Sequence, residues 1–169
     1  MKRKTYVKLM EYWEETPSRR RSMIWICRLC PYAVIALYGS GMLYLIFQDP
    51  MKLIFYLSVP ALVFVAVSII RAKLDWPRPF EELAFEPLIG HGKGKSFPSR
   101  HTASAFIIGM ACLYVSWWLG VLALLLALGV GVTRILAGLH YPRDVLAGMV
   151  ISVVVGYGCF FLLAPLFHL

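Results

Sequence analysis

Five long apolar stretches constrain this chain more than any other feature: residues 23–47, 51–70, 102–118, 119–139 and 145–167. A hydrocarbon core of about 30 Å takes roughly 20 apolar residues as an α-helix, and a helix satisfies its own backbone polar groups where no water can. Each stretch is long enough or nearly so. The runs are continuously apolar and do not alternate, which argues against a transmembrane β-barrel. Composition agrees, since 60% of the 169 residues are hydrophobic and only 15% are charged. Mean hydropathy is +0.71, above what a soluble domain with an apolar share of about half would show. The expected fold is all-α, an integral membrane bundle of about five transmembrane helices, with residues 23–169 forming a single domain.

Residues 1–22 differ in kind. Lys2, Arg3, Lys4, Lys8, Arg19, Arg20 and Arg21 outnumber Glu11, Glu14 and Glu15, and Tyr6, Leu9, Met10 and Trp13 are interleaved among them. The pattern predicts a basic amphipathic helix lying at the membrane interface. A signal peptide is disfavoured, because the apolar run that follows is too long and no small-residue cleavage site follows it. The formal net charge of +8 is concentrated beside the first span, so anionic lipid headgroups are its expected partner. Nucleic acid is not expected, as no recognition module is present. Cys27 and Cys30 have the spacing of a metal or redox pair. They lie inside a span without a second pair, so they read as packed or lipid-facing thiols, as do Cys112 and Cys159.

The polar residues that interrupt this apolar chain fall into three blocks. Residues 71–100 form one long polar connection, in which Pro77 and Pro79 end a helix and stiffen the turn around Arg78. A planar guanidinium held there suits bidentate contact with phosphate oxygens. Residues 90–96 superficially resemble a nucleotide-binding loop, but Ile89 stands where a Walker loop needs glycine. They read instead as a flexible cationic loop at the membrane surface, the alternative being that Lys93 or Lys95 helps guide an anionic headgroup inward. Pro98 and Ser99 then mark a helix start, with Ser99 as N-cap at the positive end of the dipole, a ready anion site. Arg134 lies about a turn and a half before the end of the fourth stretch, where an unpaired charge costs several kcal/mol and so points to a function. His140 precedes Pro142 at the start of the last helix. Asp144, in that helix's first turn, can reach back to a ring nitrogen and fix the tautomer. A carboxylate-oriented histidine is a unit of nucleophilic or base catalysis.

Together the blocks resemble the three-part signature of the type-2 phosphatidic acid phosphatase superfamily. Arg71 precedes Arg78-Pro79 by seven positions, Pro98-Ser99-Arg100-His101 follows, and Thr133-Arg134 is followed at fixed spacing by His140 and Asp144. The resemblance implies that His140 attacks phosphorus to form a phosphohistidine, that Asp144 orients its ring, and that His101 protonates the leaving oxygen. It implies a phosphate clamp of Arg71, Arg78, Ser99, Arg100 and Arg134, with no metal or other cofactor. Three positions depart from the family pattern. Arg71 stands where Lys is usual, with Lys73 two residues later, which leaves either as the first cation. Arg100 stands where Gly is common, and Thr133 replaces Ser.

The expected activity is therefore hydrolysis of a membrane lipid phosphate or diphosphate, of the phosphatidic acid, phosphatidylglycerophosphate or polyprenyl diphosphate type, by a multi-pass protein of the cell membrane. A lipid phosphotransferase and a non-catalytic lipid-phosphate transporter are the alternatives. Two crossings before the first block place the site on the same face as the N-terminus. The basic N-terminal residues assign that face to the cytoplasm, whereas many bacterial family members act on the outer face.

Overall fold

The computed structural model describes residues 3–90 and 92–167. Lys2 of the basic segment and His91 of the cationic loop lie outside the described residues. The helices are α1 (Arg3–Glu14), α2 (Pro17–Gln48), α3 (Lys52–Leu74), α4 (Pro79–Glu82), α5 (Arg100–Val115), α6 (Trp117–Leu136) and α7 (Pro142–Tyr157). A π-helical turn, Gly158–Leu163, and a 3₁₀ turn, Ala164–Phe167, prolong α7. Four helical stretches, Pro17–Gln48, Lys52–Glu82, Trp117–Leu136 and Pro142–Phe167, are long and apolar enough to cross a membrane. The protein is a multi-pass helical membrane protein. The third apolar run forms the shorter α5, of 16 residues.

Helix α5 is the hub of the bundle and packs against α2, α3, α6 and α7. Its buried face carries Ala103, Ala105, Gly109, Ala111 and Cys112, small residues of the kind that let helices in a bilayer approach closely. The tightest approach is to α6, where a Cβ added at Gly120 would come within 2.3 Å of Leu113 Cα. The two helices part at Ser116, which is extended (φ −156°, ψ 133°). The break thus falls just before Trp117 and Trp118, not after Trp118, and both rings are exposed there, as interfacial aromatics are.

Two prolines inside helices create polar needs that neighbouring helices meet. Proline has no N–H, so the carbonyl four residues earlier loses its helical partner. Pro60 in α3 orphans the Tyr56 carbonyl, and the Tyr38 hydroxyl of α2 donates to it at 2.8 Å. The Tyr56 hydroxyl donates back to the Tyr38 carbonyl at 2.8 Å, and the two rings stack at 4.6 Å. Pro31 in α2 orphans the Cys27 carbonyl, which accepts from Arg134 Nη2 of α6 at 3.2 Å. In each case a helix-breaking residue becomes a bond between helices.

The N-terminal segment docks onto the bundle. Tyr6 and Met10 of α1 are buried, and Met10 joins Met23, Cys27, Leu88, Ala137 and Leu139 in one apolar cluster. Tyr6 stacks on Phe85 at 5.3 Å and meets Tyr141 edge-on at 6.0 Å, while Arg3 Nε donates to the Leu83 carbonyl at 2.8 Å. Helix α2 begins at Pro17, so Arg19, Arg20 and Arg21 lie in its first turns. Long arginine stems tolerate that position by carrying their charge to the interface.

The reciprocal tyrosine pair supplies a stability test. Tyr38→Phe leaves the Tyr56 carbonyl without its donor and lowers stability by about 0.5–2 kcal/mol. In a Pro60→Ala background, where residue 60 regains an N–H, the same substitution costs less. Thermal unfolding of the four proteins in detergent measures the difference.

Candidate active site

The three blocks converge because α5 and α7 start side by side. Ser99 N donates to the Asp144 carbonyl at 2.8 Å. A Cβ added at Gly148 would sit 2.7 Å from the Ser99 carbonyl, so only glycine permits this spacing. Gly138, at φ 74°, turns the chain out of α6, and Leu139 N and His140 N both donate to the Arg134 carbonyl, at 3.1 and 3.3 Å. His140 and Asp144 are thereby buried, at 1% and 0% exposure.

His140 is held from both sides. Its Nδ1 lies 3.6 Å from Asp144 Oδ2, too long for a direct hydrogen bond. The Ser96 hydroxyl fills the interval, 3.4 Å from Nδ1 while donating to Asp144 Oδ2 at 2.6 Å. The same carboxylate oxygen accepts from Tyr141 N at 3.0 Å, as expected of an acidic residue in the first turn of α7. With a proton on Nδ1 pointing at this pair, the lone pair of Nε2 faces the other way, where Arg78 Nη1 stands 3.5 Å off. Burial pushes the imidazole's pKa below its ordinary value of 6.5, helped by Arg78 and Arg71 and opposed by Asp144. The neutral, nucleophilic form is therefore favoured at neutral pH.

Arg78 also lines a pocket of about 350 Å³, together with Arg71, Lys93, Lys95 and Arg100. Arg71 Nη1 donates to the carbonyls of Ser96 and Pro98, at 3.3 and 2.7 Å. Arg78 Nε and Nη1 donate to those of Gly94 and Leu139, at 3.0 and 3.3 Å. Glu81 shapes the wall, accepting from Arg78 N at 2.9 Å and from Gly94 N at 2.8 Å. Lys73 is exposed and does not line this pocket, so of the two candidate first cations Arg71 is the one in place.

Other candidates sit differently from what the spacing suggested. Ser99 occupies the N-cap position of α5 without a capping bond from its side chain. Its hydroxyl instead accepts from Thr102 Oγ1 at 2.9 Å. Arg134 turns toward α2 through the Cys27 carbonyl, and its buried Nε has no hydrogen-bond partner among the described residues. His101 lines a neighbouring apolar groove with Arg100 and Ser104. Sequence reasoning missed Ser96, which directly precedes the Phe97-Pro98-Ser99 run. It also missed Tyr6, whose hydroxyl donates to the His140 carbonyl at 3.1 Å and puts α1 on the same face as the site. Among the described residues no group of three or more His, Cys, Asp or Glu is arranged to hold a metal.

A family model, that of the PAP2 superfamily, matches residues 49–166, and the chain belongs to that superfamily. Undecaprenyl-diphosphatase BcrC of Bacillus subtilis is 38% identical over 81 residues, covering 48% of this chain and 42% of that protein. Lipid A 1-phosphatase of Rhizobium etli is 37% identical over 81 residues, covering 47% of this chain and 34% of that one. The aligned part thus spans less than half the length of these curated relatives. The crystal structure of Aquifex aeolicus LpxE shares the fold, with a TM-score of 0.68 at 24% identity over 89% of this chain and 91% of that one.

The depressed basicity of His140 is measurable without any substrate. An NMR titration with ring-labelled histidine finds His140 still mostly neutral at pH 6.5. In Asp144→Asn, which removes the charge that favours the imidazolium, its midpoint moves lower still.

Proposed function

We propose that the protein is a lipid phosphatase that removes a terminal phosphoryl group from a phosphorylated membrane lipid through a phosphohistidine. The observation that carries this reading is a buried imidazole whose Nε2 lies 3.5 Å from a guanidinium at the edge of a cationic pocket. Its other nitrogen is steadied by Ser96 and Asp144. A buried nucleophile beside fixed positive charge is what phosphoryl transfer requires, since most of the catalysis is positioning and electrostatic stabilisation.

In the proposed reaction His140 Nε2 attacks phosphorus, the bond to the leaving oxygen breaks, and His101 protonates that oxygen. Asp144, through Ser96, keeps the ring oriented and stabilises the imidazolium-like charge that develops. Arg71 and Arg78, which line the cationic pocket, hold the non-bridging oxygens. They supply charge stabilisation of the kind a metal ion supplies in other phosphoryl-transfer sites, and the scheme uses no cofactor. Water, activated by His101 now acting as base, then cleaves the N–P bond, releases inorganic phosphate and restores His140.

Membership of the PAP2 superfamily supports this reading, as do the names of the relatives, one an undecaprenyl-diphosphatase and another a lipid A 1-phosphatase. The substrate class proposed is accordingly a lipid phosphate or diphosphate that reaches the site laterally from the bilayer of the cell membrane.

The test is phosphate release by the purified protein in detergent, with chelator present, from a panel of lipid phosphates and diphosphates. His140→Ala is expected to lose at least about 1000-fold in kcat, and vanadate, which mimics a five-coordinate phosphoryl group, inhibits the wild type. Turnover that survives His140→Ala overturns the phosphohistidine. Tight lipid-phosphate binding without turnover points instead to a transporter, and transfer of phosphate to a second lipid points to a phosphotransferase.

A further inference from the structure

Arg100 stands where two cavities meet. It lines the cationic pocket with Arg71 and Arg78. It also lines a groove of about 210 Å³ walled by Val34 and Ile35 of α2, Phe64 of α3, and Ala105 and Ile108 of α5. The groove is apolar apart from Arg100, His101 and Ser104, and the partial exposure of Ile35 (55%) and Phe64 (45%) leaves it open toward the bilayer. The Arg100 guanidinium lies over the Phe64 ring, 5.3 Å from its centroid, a cation–π contact that steadies the charge at this junction. Among the described residues no carboxylate forms an ion pair with it. A cation so placed, at the mouth of an apolar slot and beside a phosphate-sized cationic pocket, lacks an anion of its own.

We propose that Arg100 reads a second phosphate, so that the preferred substrate is a lipid diphosphate. The terminal phosphoryl group enters the pocket of Arg71 and Arg78, the inner phosphate lies against Arg100, and the first part of the hydrocarbon chain lies in the groove. This rests on the lipid phosphatase reading above and adds the leaving group to it. The order along the protein (cationic pocket, single arginine, apolar groove) matches the order along such a lipid. As His140 Nε2 bonds to the terminal phosphorus, the bond from that phosphorus to the bridging oxygen breaks and its electron pair stays on that oxygen. The leaving group is the lipid monophosphate, and Arg100 stabilises the negative charge that develops on it before the proton from His101 arrives. Water later cleaves the N–P bond to give inorganic phosphate. From a lipid monophosphate the leaving group is an alcohol, which offers Arg100 no anion. Arg100 therefore separates the two substrate types through the leaving group, whereas Arg71 and Arg78 act on the phosphoryl group common to both.

The experiment compares kcat/KM for farnesyl diphosphate and farnesyl monophosphate in wild type, Arg100→Gln and Arg100→Lys, in detergent with chelator. Because Arg100 is exposed, these variants are expected to keep the fold, which their melting temperatures check. Arg100→Gln is expected to lower the diphosphate-to-monophosphate ratio of kcat/KM by tenfold or more, with Arg100→Lys recovering part of it. Equal losses on both substrates, or a ratio within twofold of wild type, overturn the role given to Arg100 and leave the phosphatase reading intact. Wild-type turnover of the monophosphate alone overturns the diphosphate preference. Turnover of neither substrate overturns the phosphatase reading and this inference with it. Ile35→Trp, at an exposed groove position, is expected to raise KM for farnesyl diphosphate severalfold, and an unchanged KM overturns the groove as the chain's place.

Discussion

Much of this site follows from guanidinium groups buried with backbone carbonyls as their partners, Arg78 also reaching His140 Nε2. Arg71 donates to Ser96 and Pro98, Arg78 to Gly94 and Leu139, and Arg134 to Cys27. Carbonyl dipoles lessen the desolvation cost of such groups without neutralising them. Of the carboxylates beside them, Asp144 is committed to Ser96 and Tyr141 N, and Glu81 to the backbone N–H groups of Arg78 and Gly94. The region therefore holds net positive charge away from water, and an oxyanion bound there completes the balance. Burial, with this charge beside it, disfavours protonation of His140, so the surroundings that suit a bound oxyanion also keep the imidazole neutral.

The backbone arranges this with few devices. Helices α5 and α7 begin in contact, tied by Ser99 N to the Asp144 carbonyl and brought together over Gly148. Glu81 bridges the turn at Arg78 to the loop at Gly94. Proline serves twice, at 31 and 60, by freeing a carbonyl that a side chain of another helix then takes. In the first case that side chain is Arg134 itself, so a helix irregularity in α2 sets the posture of a guanidinium on α6.

Much of this was legible from residue types alone, and the division is physical. The apolar runs, the turn at Arg78 and the placement of His140 and Asp144 about Pro142 depend on neighbours within a few residues. Local spacing and charge reveal them. The helix ends were less legible, because arginine stems let α2 start before Met23 and because Ser116 breaks the chain ahead of two tryptophans that hydropathy alone would keep in the helix. Least legible were the contacts between distant segments. Ser96 reaches Asp144 across 48 positions, and Ser99 N reaches the Asp144 carbonyl. No periodicity in the first twenty residues announces that a tyrosine there meets the loop carrying His140.

That tyrosine bears on the order in which the molecule is made. Tyr6 and the His140 carbonyl it bonds are separated by 134 positions, and the apolar cluster beneath α1 includes Ala137 and Leu139. Helix α1, made before that loop, thus has no complete docking surface until the loop between α6 and α7 exists. A chain halted short of that loop lacks both His140 and the seat of α1.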